Sequence, residues 1–198
     1  NSVITFNGGT IISEGTTVNN GTNFTIGDTG SGATFIANGG RHDFTNGMIV
    51  GFSGSSNNLT VTNGATVASA FATLGANGDS SNNTVLVTGA NSLWTNSGDL
   101  YVGLSGSSNS LVISDGGTVA NRDGTIGYDT SSNNSVLVTD GGTWTNSEGL
   151  IVGRSGSGNS LVISNGGTVA NESGRIGHFD TSSNNSALVT GTDSLWTN

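Results

Sequence analysis

Two histidines and a scattered set of carboxylates are the side chains of this chain that could carry acid–base chemistry. His42 and His178 are its two imidazoles, the groups that normally titrate near neutral pH. In the repeat described below they occupy unrelated positions about six coils apart, which is roughly 30 Å at the usual spacing between strands. We therefore expect each histidine to lie at the surface, and we do not expect them to share a catalytic site.

Asp99, Asp123 and Glu148 are the candidates for a pair of carboxyl groups that cleaves a glycosidic bond. The two groups of such a pair lie about 5 to 9.5 Å apart, which in a stacked repeat means neighbouring coils. These acids recur only loosely, and at one equivalent position Asp115 is replaced by Asn165. Exchange of a carboxylate for its amide is typical of a turn. We predict turn or surface roles, no catalytic residue and no enzyme activity.

Asp79 and Asp129 lie in polar loops, where a weak calcium site is an open alternative. The calcium-binding nonapeptide pattern is absent, because Thr-Val or Thr-Trp follows the Gly-Gly pair here, and no EF-hand loop occurs. The chain has no Cys, which excludes disulfides and thiolate metal sites. We predict no metal and no cofactor.

The composition excludes several classes of partner. The chain has 198 residues, 34 of them Gly, and Gly, Ser, Asn and Thr together exceed half of it. Four basic residues against 13 acidic ones give a net charge of −9, which argues against nucleic acid or an anionic membrane surface as a partner. No apolar stretch of about 18 residues occurs, so we predict no membrane insertion.

A repeat of about 50 residues organises the apolar positions. The sequence from Gly103 recurs from Gly153, and an earlier copy begins at Gly51. The chain is therefore a single repeat region, with units at about 1–50, 51–102, 103–152 and 153–198. Each unit divides into two similar halves of about 25 residues. The halves begin near Ser2, Ile26, Val50, Leu74, Val102, Ile126, Val152 and Ile176.

Each half contains three short apolar segments, rich in β-branched and aromatic residues and too short for helices. Because one half cannot bury its apolar face alone, it must stack on the next, strand over equivalent strand. We therefore predict an all-β fold, a parallel β-helix (β-solenoid) of about eight coils with three short strands per coil, roughly 40 Å long. In segments such as Leu111-Val112-Ile113 the pattern leaves open which side chains face inward.

Two columns of side chains follow from stacking. Asn109, Asn134, Asn159 and Asn185 are expected to form a ladder at one corner, with their amides bonded from coil to coil. At one position of the third apolar segment, a large side chain alternates with a small one from one half-unit to the next. This alternation favours packing without voids and a place in the core. The alternative is a surface Trp that stacks on a sugar. The alternating residues are Val67, Trp94, Val119, Trp144, Val169 and Trp196.

A row of threonines raises ice binding as a further alternative, because regular Thr arrays on flat solenoid faces carry that function. Thr66, Thr118, Thr143 and Thr168 match in position, but the row is one residue wide instead of a Thr-x-Thr pair. That width disfavours an ice-binding face.

The unit from Val102 to Val152 reads VGLSGSSNSLVISDGGTVAN, then IGYDTSSNNSVLVTDGGTWTNSEGLIV after a short link. It resembles the repeats of autotransporter passenger domains, which are secreted bacterial adhesins of the type V pathway. The resemblance is clearest over residues 50–198 and fainter over 1–49. It implies a right-handed β-helix that serves mainly as a stalk, and no catalytic triad of a passenger protease can be placed on this chain.

These observations predict a structural role: an extracellular β-solenoid, the stalk or fibre segment of a bacterial surface adhesin or biofilm filament. The expected partners are further repeats, joined end to end or laterally, or glycans and proteins of a host or neighbouring cell. Neither end carries a polar capping repeat, so we expect a piece of a longer chain or a polymerising subunit. The alternative is a carbohydrate-binding or polysaccharide-degrading β-helix. Such a protein needs a concave patch of aromatics and acids, whereas a spacer has a uniform polar face.

The first testable prediction concerns the inside of the solenoid. Val138→Asp is expected to bury an unpaired charge and to cost several kcal/mol of unfolding free energy. Ser131→Ala, in a loop, is expected to change stability by less than about 0.5 kcal/mol. Thermal denaturation of the two variants checks this, and equal losses would contradict the assigned inside and outside.

Overall fold

The computed structural model describes residues 4–198, which contain 23 β-strands and no helix. The strands form three parallel sheets of eight, eight and seven strands, and each strand pairs with its equivalent one coil away. The described chain is therefore a parallel β-solenoid of about eight coils with three strands per coil. The fold predicted from the repeat is confirmed.

Each of the first seven coils contributes one strand to each sheet in the same order, and the eighth contributes two. The first sheet contains β1 (Thr10–Ser13), β4 (Thr34–Asn38), β7 (Asn58–Thr62), β10 (Thr84–Thr88), β13 (Ser110–Ser114), β16 (Ser135–Val138), β19 (Ser160–Ser164) and β22 (Ser186–Thr190). The second contains β2 (Thr16–Val18), β5 (Arg41–Phe44), β8 (Thr66–Ser69), β11 (Leu93–Asn96), β14 (Thr118–Asn121), β17 (Thr143–Asn146), β20 (Thr168–Ala170) and β23 (Leu195–Thr197). The third contains β3 (Phe24–Ile26), β6 (Met48–Val50), β9 (Ala72–Leu74), β12 (Leu100–Val102), β15 (Gly124–Ile126), β18 (Gly149–Val152) and β21 (Ser173–Ile176).

From Ile26 to Ile176, the residues that mark the half-units in the sequence stack in one column, at the ends of the third-sheet strands; Ser2 lies outside the described residues. Val102 pairs with Leu74 on one side and Ile126 on the other, and Val152 continues the column. On the first sheet, Leu137 pairs with both Val112 and Val162. Equivalent residues of successive coils therefore lie directly over one another, as the repeat predicts.

Burial alternates along the first-sheet strands that contain the apolar triplets, which settles the orientation of those side chains. In β16, Val136 and Val138 are buried and Leu137 between them is partly exposed. The inward placement of Val138 is confirmed. The matched control for Val138→Asp is accordingly Leu137→Asp, because the same charge on the outer face of the same strand stays in contact with water.

The expected solvent-exposed position of Ser131 is wrong. Its side chain is 1% exposed, and its Oγ donates a hydrogen bond of 2.8 Å to the carbonyl oxygen of Gly103, one coil away. Ser80 makes the same kind of bond to the carbonyl oxygen of Gly51 at 2.7 Å. A loop residue can therefore be buried here, because the corner is closed by bonds between coils. Ser131→Ala is now expected to cost about 1 kcal/mol, the usual net worth of a hydrogen bond.

The predicted Asn ladder is present and begins earlier, at Asn57 and Asn83. Asn134 Oδ1 accepts two hydrogen bonds from the preceding coil, from the backbone N–H of Asn109 at 2.9 Å and from its Nδ2 at 3.2 Å. Asn134 in turn donates in the same way to Asn159. These side chains are fully buried. A glycine must stand beside each, since a Cβ on Gly103 would lie 2.2 Å from Asn134 Nδ2.

The exchange of Asp115 for Asn165 has the structural cause that the sequence suggests. Both residues, and Asp140 between them, have positive φ angles of 52°, 47° and 50° and precede a glycine. The chain turns within four residues there, with the N–H of Gly117 donating to the carbonyl oxygen of Ser114 at 2.8 Å. Asp and Asn both tolerate this left-handed conformation, so the prediction of a turn role is confirmed.

The alternating Val and Trp residues share one column in the core. Val119 pairs with Trp94 and with Trp144, and all three side chains are fully buried. The core interpretation of Trp94 and Trp144 is confirmed, and Trp196 packs against the same core while partly exposed.

The surface position expected for His42 is wrong. His42 pairs with Thr16 and Val67, so it occupies the Val–Trp column in the second coil and is 0% exposed. Alternation in β5 places it on the inner face, and its Nε2 lies 3.0 Å from the carbonyl oxygen of Gly39. His178 lies in the loop after β21 and is partly exposed, as expected.

The Thr row is broken, which removes the basis for an ice-binding face. Leu93 separates Thr66 from Thr118 in the register of the second sheet. Thr143 and Thr168 follow, and Leu195 then replaces Thr at the next position.

Trp144 and Trp196 are each fitted to the coil before them. Trp144 Nε1 donates to Asn121 Oδ1 at 2.8 Å, and a Cβ on Gly124 would lie 2.7 Å from Trp144 Cζ2. Trp196 has the same two neighbours, bonding to Asn171 Oδ1 at 2.7 Å and lying beside Gly174. The acceptor and the space for the indole both come from the preceding coil, so two coils form one packing unit.

Trp94 and the third coil, which precedes it, depart from this pattern. In the third coil, Ser69 and Ala72 stand where the fifth coil has Asn121 and Gly124, and Trp94 Nε1 is buried without a hydrogen-bond partner. Serine is too short to supply the acceptor, and Ser69 Oγ instead donates to Asn96 Oδ1 at 2.6 Å.

This difference gives the second prediction. In the double variant Ser69→Asn/Ala72→Gly, Trp94 Nε1 is expected to gain the bond that Trp144 has, and hydrogen exchange of the Trp94 indole N–H should slow towards that of Trp144. The gain of about 1 kcal/mol from the bond is offset by roughly 0.5–1 kcal/mol for Gly in a strand, so exchange measured by NMR is the readout. An unchanged Trp94 rate would show that the preceding coil does not set the indole position.

Candidate functional site

Charged residues border one side of the outer face of the third sheet. They lie at the corner where the chain enters β12, β15 and β18. Asp99 and Asp123 precede Leu100 and Gly124, which are paired, and so they share one row. Glu148 belongs to the next row, because its N–H donates to the carbonyl oxygen of Arg122 at 2.9 Å. Two of the three predicted acids are therefore brought together, and Glu148 lies one row away.

Asp99 is held by an ion pair. Its carboxylate accepts hydrogen bonds from Arg122 Nε at 2.9 Å and Nη2 at 3.0 Å, and from the Tyr101 hydroxyl at 3.1 Å. Partial burial raises the pKa of Asp99, but the bonds from Arg122 and Tyr101 outweigh it, so the pKa is lowered from 3.8. A general acid for glycoside cleavage needs a raised pKa. The geometry of Asp99 suits an ionised structural partner.

The neighbouring groups are also engaged. Burial and the charge of Asp99 raise the pKa of Tyr101 to about 12, so its hydroxyl stays a hydrogen-bond donor. Asp123 Oδ1 accepts a bond of 2.8 Å from the N–H of Gly149 in the next coil. Its Oδ2 lies 3.7 Å from Arg122 Nε.

Aromatic residues lie opposite, with Tyr101 in the middle of β12 and Tyr128 and Phe179 in the loops that leave β15 and β21. The rings of Tyr101 and Tyr128 meet edge to face, with centroids 5.0 Å apart. The guanidinium carbon of Arg154 lies 4.2 Å from the centre of the Tyr128 ring and 5.2 Å from that of Phe179. Within residues 4–198 the Arg154 guanidinium forms no salt bridge.

Between the two borders lie two adjoining recesses of about 230 and 510 Å³, which share Asp123 and Ile151. We refer to them together as the third-sheet groove. Three of the chain's four basic residues belong to this face, Arg154 and Arg175 in the lining and Arg122 at the border. The lining consists of Asp99, Tyr101, Asp123, Gly124, Thr125, Tyr128, Ser147, Glu148, Gly149, Leu150, Ile151, Arg154, Glu172, Ser173 and Arg175.

The other sequence candidates do not converge. His42 lies in the second coil and His178 follows the seventh, so they are not brought together. Asp129 Oδ2 accepts a bond of 2.8 Å from Ser105 Oγ, and Asp79 lies in an earlier loop, where its backbone oxygen accepts from Ser55. No group of three His, Asp or Glu side chains in residues 4–198 is arranged to hold a metal ion.

No protein-family model, curated protein or solved structure matches this chain. The class that the structure defines is the three-sheet parallel β-solenoid. A search of the described residues for a helix that could cross a membrane also finds none.

Sequence reasoning missed Tyr101, Tyr128 and Arg154, although a signal was present. At the position after the invariant glycine of each half-unit, the chain has Leu104, Tyr128 and Arg154 in successive coils. The preceding column is Gly in every one of these coils, so the changes after it mark a place where packing does not dictate the side chain.

The third prediction tests the ion pair at the border. Arg122→Gln is expected to raise the pKa of Asp99 towards 3.8, because the charge and the paired hydrogen bonds are lost. The stabilisation from Asp99 is complete above its ordinary pKa and is lost as the pH falls through the lowered one. The unfolding free energy of the variant should therefore depend less on pH in that range.

NMR titration of the Asp99 carboxyl carbon measures the pKa directly. Arg41→Gln is the control, because Arg41 pairs with Asp43 on the second sheet. An unchanged Asp99 pKa in Arg122→Gln would contradict the assignment.

Proposed function

We propose that the protein is a structural β-solenoid, a stiff segment of an extracellular stalk or fibre on a bacterial surface. The observation that carries this proposal is the unbroken pairing of all three sheets, in which every coil is bonded to the next along one axis. Bending such a rod requires the bonds of several ladders to stretch together, which resists flexing.

The chemistry of the chain supports the location. It has no Cys and a net charge of −9, and its surface is rich in hydroxyl and amide groups. The net charge and the polar groups favour solubility. Without Cys, folding involves no disulfide and therefore requires no oxidising compartment. The resemblance to autotransporter passenger repeats supports the same location.

Association with further solenoid coils is part of the proposal. β22 and β23 are edge strands of their sheets, and an unpaired edge is a template for another strand. Leu188, Val189 and Leu195 in these strands are 54%, 44% and 49% exposed. Further coils, in the same chain or a second copy, would bury them.

Carbohydrate binding is the second candidate function, and the third-sheet groove is the observation that favours it. The groove combines aromatic rings, carboxylates and a concave surface, which a plain spacer would not need. Within it, the ion-paired state of Asp99 favours binding over cleavage of a polysaccharide.

The fourth prediction tests location and role. An antibody raised against residues 51–198 is expected to label intact cells of the source organism, and protease added outside the cells should remove the signal. A cytosolic protein of the same cells serves as the control for leakage. Antigen that becomes accessible only after lysis would overturn the extracellular proposal.

A further inference from the structure

We propose that the third-sheet groove binds an acidic oligosaccharide, with a sugar carboxylate held by Arg154. This inference deepens the carbohydrate-binding candidate above by naming the ligand class. It does not depend on the stalk proposal, because a groove on one face leaves the stacking of coils unchanged.

The first step is the charge of Arg154. The chain has four basic residues, and two of them, Arg41 and Arg122, are paired with Asp43 and Asp99. Arg175 Nη1 lies 3.0 Å from His178 Nδ1. Arg154 has no carboxylate partner in residues 4–198, although the chain carries 13 acidic residues.

The second step is the positioning of that cation. Arg154 is partly buried, with the rings of Tyr128 and Phe179 beside its guanidinium at 4.2 and 5.2 Å. Cation–π contacts hold the side chain without occupying its N–H donors. A guanidinium presents these donors as a planar fork that matches a carboxylate in two parallel hydrogen bonds. The missing partner is therefore best supplied by a ligand carboxylate.

The third step is the surface beside it. Tyr101 and Ile151 line the same recess and are each partly exposed, so they present apolar area to a ligand. The Tyr101 hydroxyl is held by Asp99, which fixes the ring. Asp123 keeps Oδ2 free of a close hydrogen bond and can accept one from a sugar hydroxyl. An apolar floor with a few placed polar groups is typical of a small-ligand site.

The length and charge of the groove narrow the ligand class. The lining runs from Asp99 in the fourth coil to Arg175 in the seventh, roughly 15 Å at the usual strand spacing. That span suits a short oligosaccharide. Glu148 and Glu172 also line the groove, so a densely charged polyanion such as nucleic acid would be repelled, whereas a single well-placed carboxylate is accommodated.

The fifth prediction uses the whole chain and a defined probe, a trisaccharide of two glucose units and one terminal glucuronate, with its carboxyl-reduced form as the neutral counterpart. Titration followed by NMR is expected to shift the signals of Tyr101, Tyr128, Ile151 and the Arg154 side chain. The neutral sugar is expected to bind roughly tenfold more weakly or worse, the equivalent of one charged hydrogen bond.

Three variants identify the groups involved. Arg154→Gln should weaken binding of the acidic trisaccharide by about tenfold or more and leave the neutral sugar unaffected. Arg154→Lys should restore only part of the loss, because an ammonium lacks the fork. Tyr101→Ala should weaken both sugars. Arg41→Gln is the matched control, since Arg41 lies on the second sheet in its own ion pair. Thermal unfolding and circular dichroism of each variant establish that the solenoid is intact.

Equal binding of the acidic and neutral sugars, or unchanged binding by a folded Arg154→Gln variant, would overturn the proposal. So would the absence of any NMR shift at millimolar concentrations of the acidic trisaccharide. These outcomes leave the stalk proposal standing, because cell-surface labelling tests it separately. If the protein binds the acidic sugar specifically but is confined to the cytosol, the groove proposal stands and the stalk proposal fails.

Discussion

The side chain that every other feature depends on is the corner asparagine, repeated from Asn57 to Asn185. From Asn83 onward, each one accepts two hydrogen bonds at its Oδ1 from the preceding coil, one from the backbone and one from the amide of the Asn before it. An amide can do this because it carries an acceptor and donors on one short side chain. The ladder fixes the height and the rotation of each coil against its neighbour.

That fixed registry is what lets loops vary and cores stay constant. The coils differ in length by a few residues, yet Leu74, Val102 and Ile126 remain in one column because the extra residues are accommodated in the loops. It also imposes costs, since a glycine such as Gly103 is required beside each asparagine for both its positive φ and the absence of a Cβ. The high glycine content of the chain thus has a local cause at the corner.

The sequence predicted the parts of the structure that repeat and failed where one copy differs. Strand order, the Asn ladder and the Val–Trp column follow from equivalent positions, and the order of the units was enough to place them. His42 was misplaced because β5, with Arg41 and Asp43 on either side of it, looks polar until its partner Val67 is known. Ser131 was misplaced because its burial comes from a bond to another coil.

The groove was missed for a related reason. Its residues, Tyr101, Tyr128 and Arg154 among them, come from different coils, and their contacts depend on which loops face which strand. The spacing of residues within one unit does not indicate which loops face which strand. The useful signal was a variable column beside a column of invariant glycines, because a variable position is where a repeat protein is free to acquire a function.

The way in which Trp144 and Trp196 fit the coils before them has a consequence for how such a chain can change length. Loss of the coil that carries Asn121 and Gly124 would bring Trp144 against Trp94 and Leu100, without the space that Gly124 leaves for the indole. Loss or duplication of the two coils that carry Val119 and Trp144 keeps a Gly-bearing coil in front of Trp196 and of every copy of Trp144. Recombination between gene segments that encode these repeats therefore yields foldable products in steps of about 50 residues, and the rod grows or shortens by whole pairs of windings.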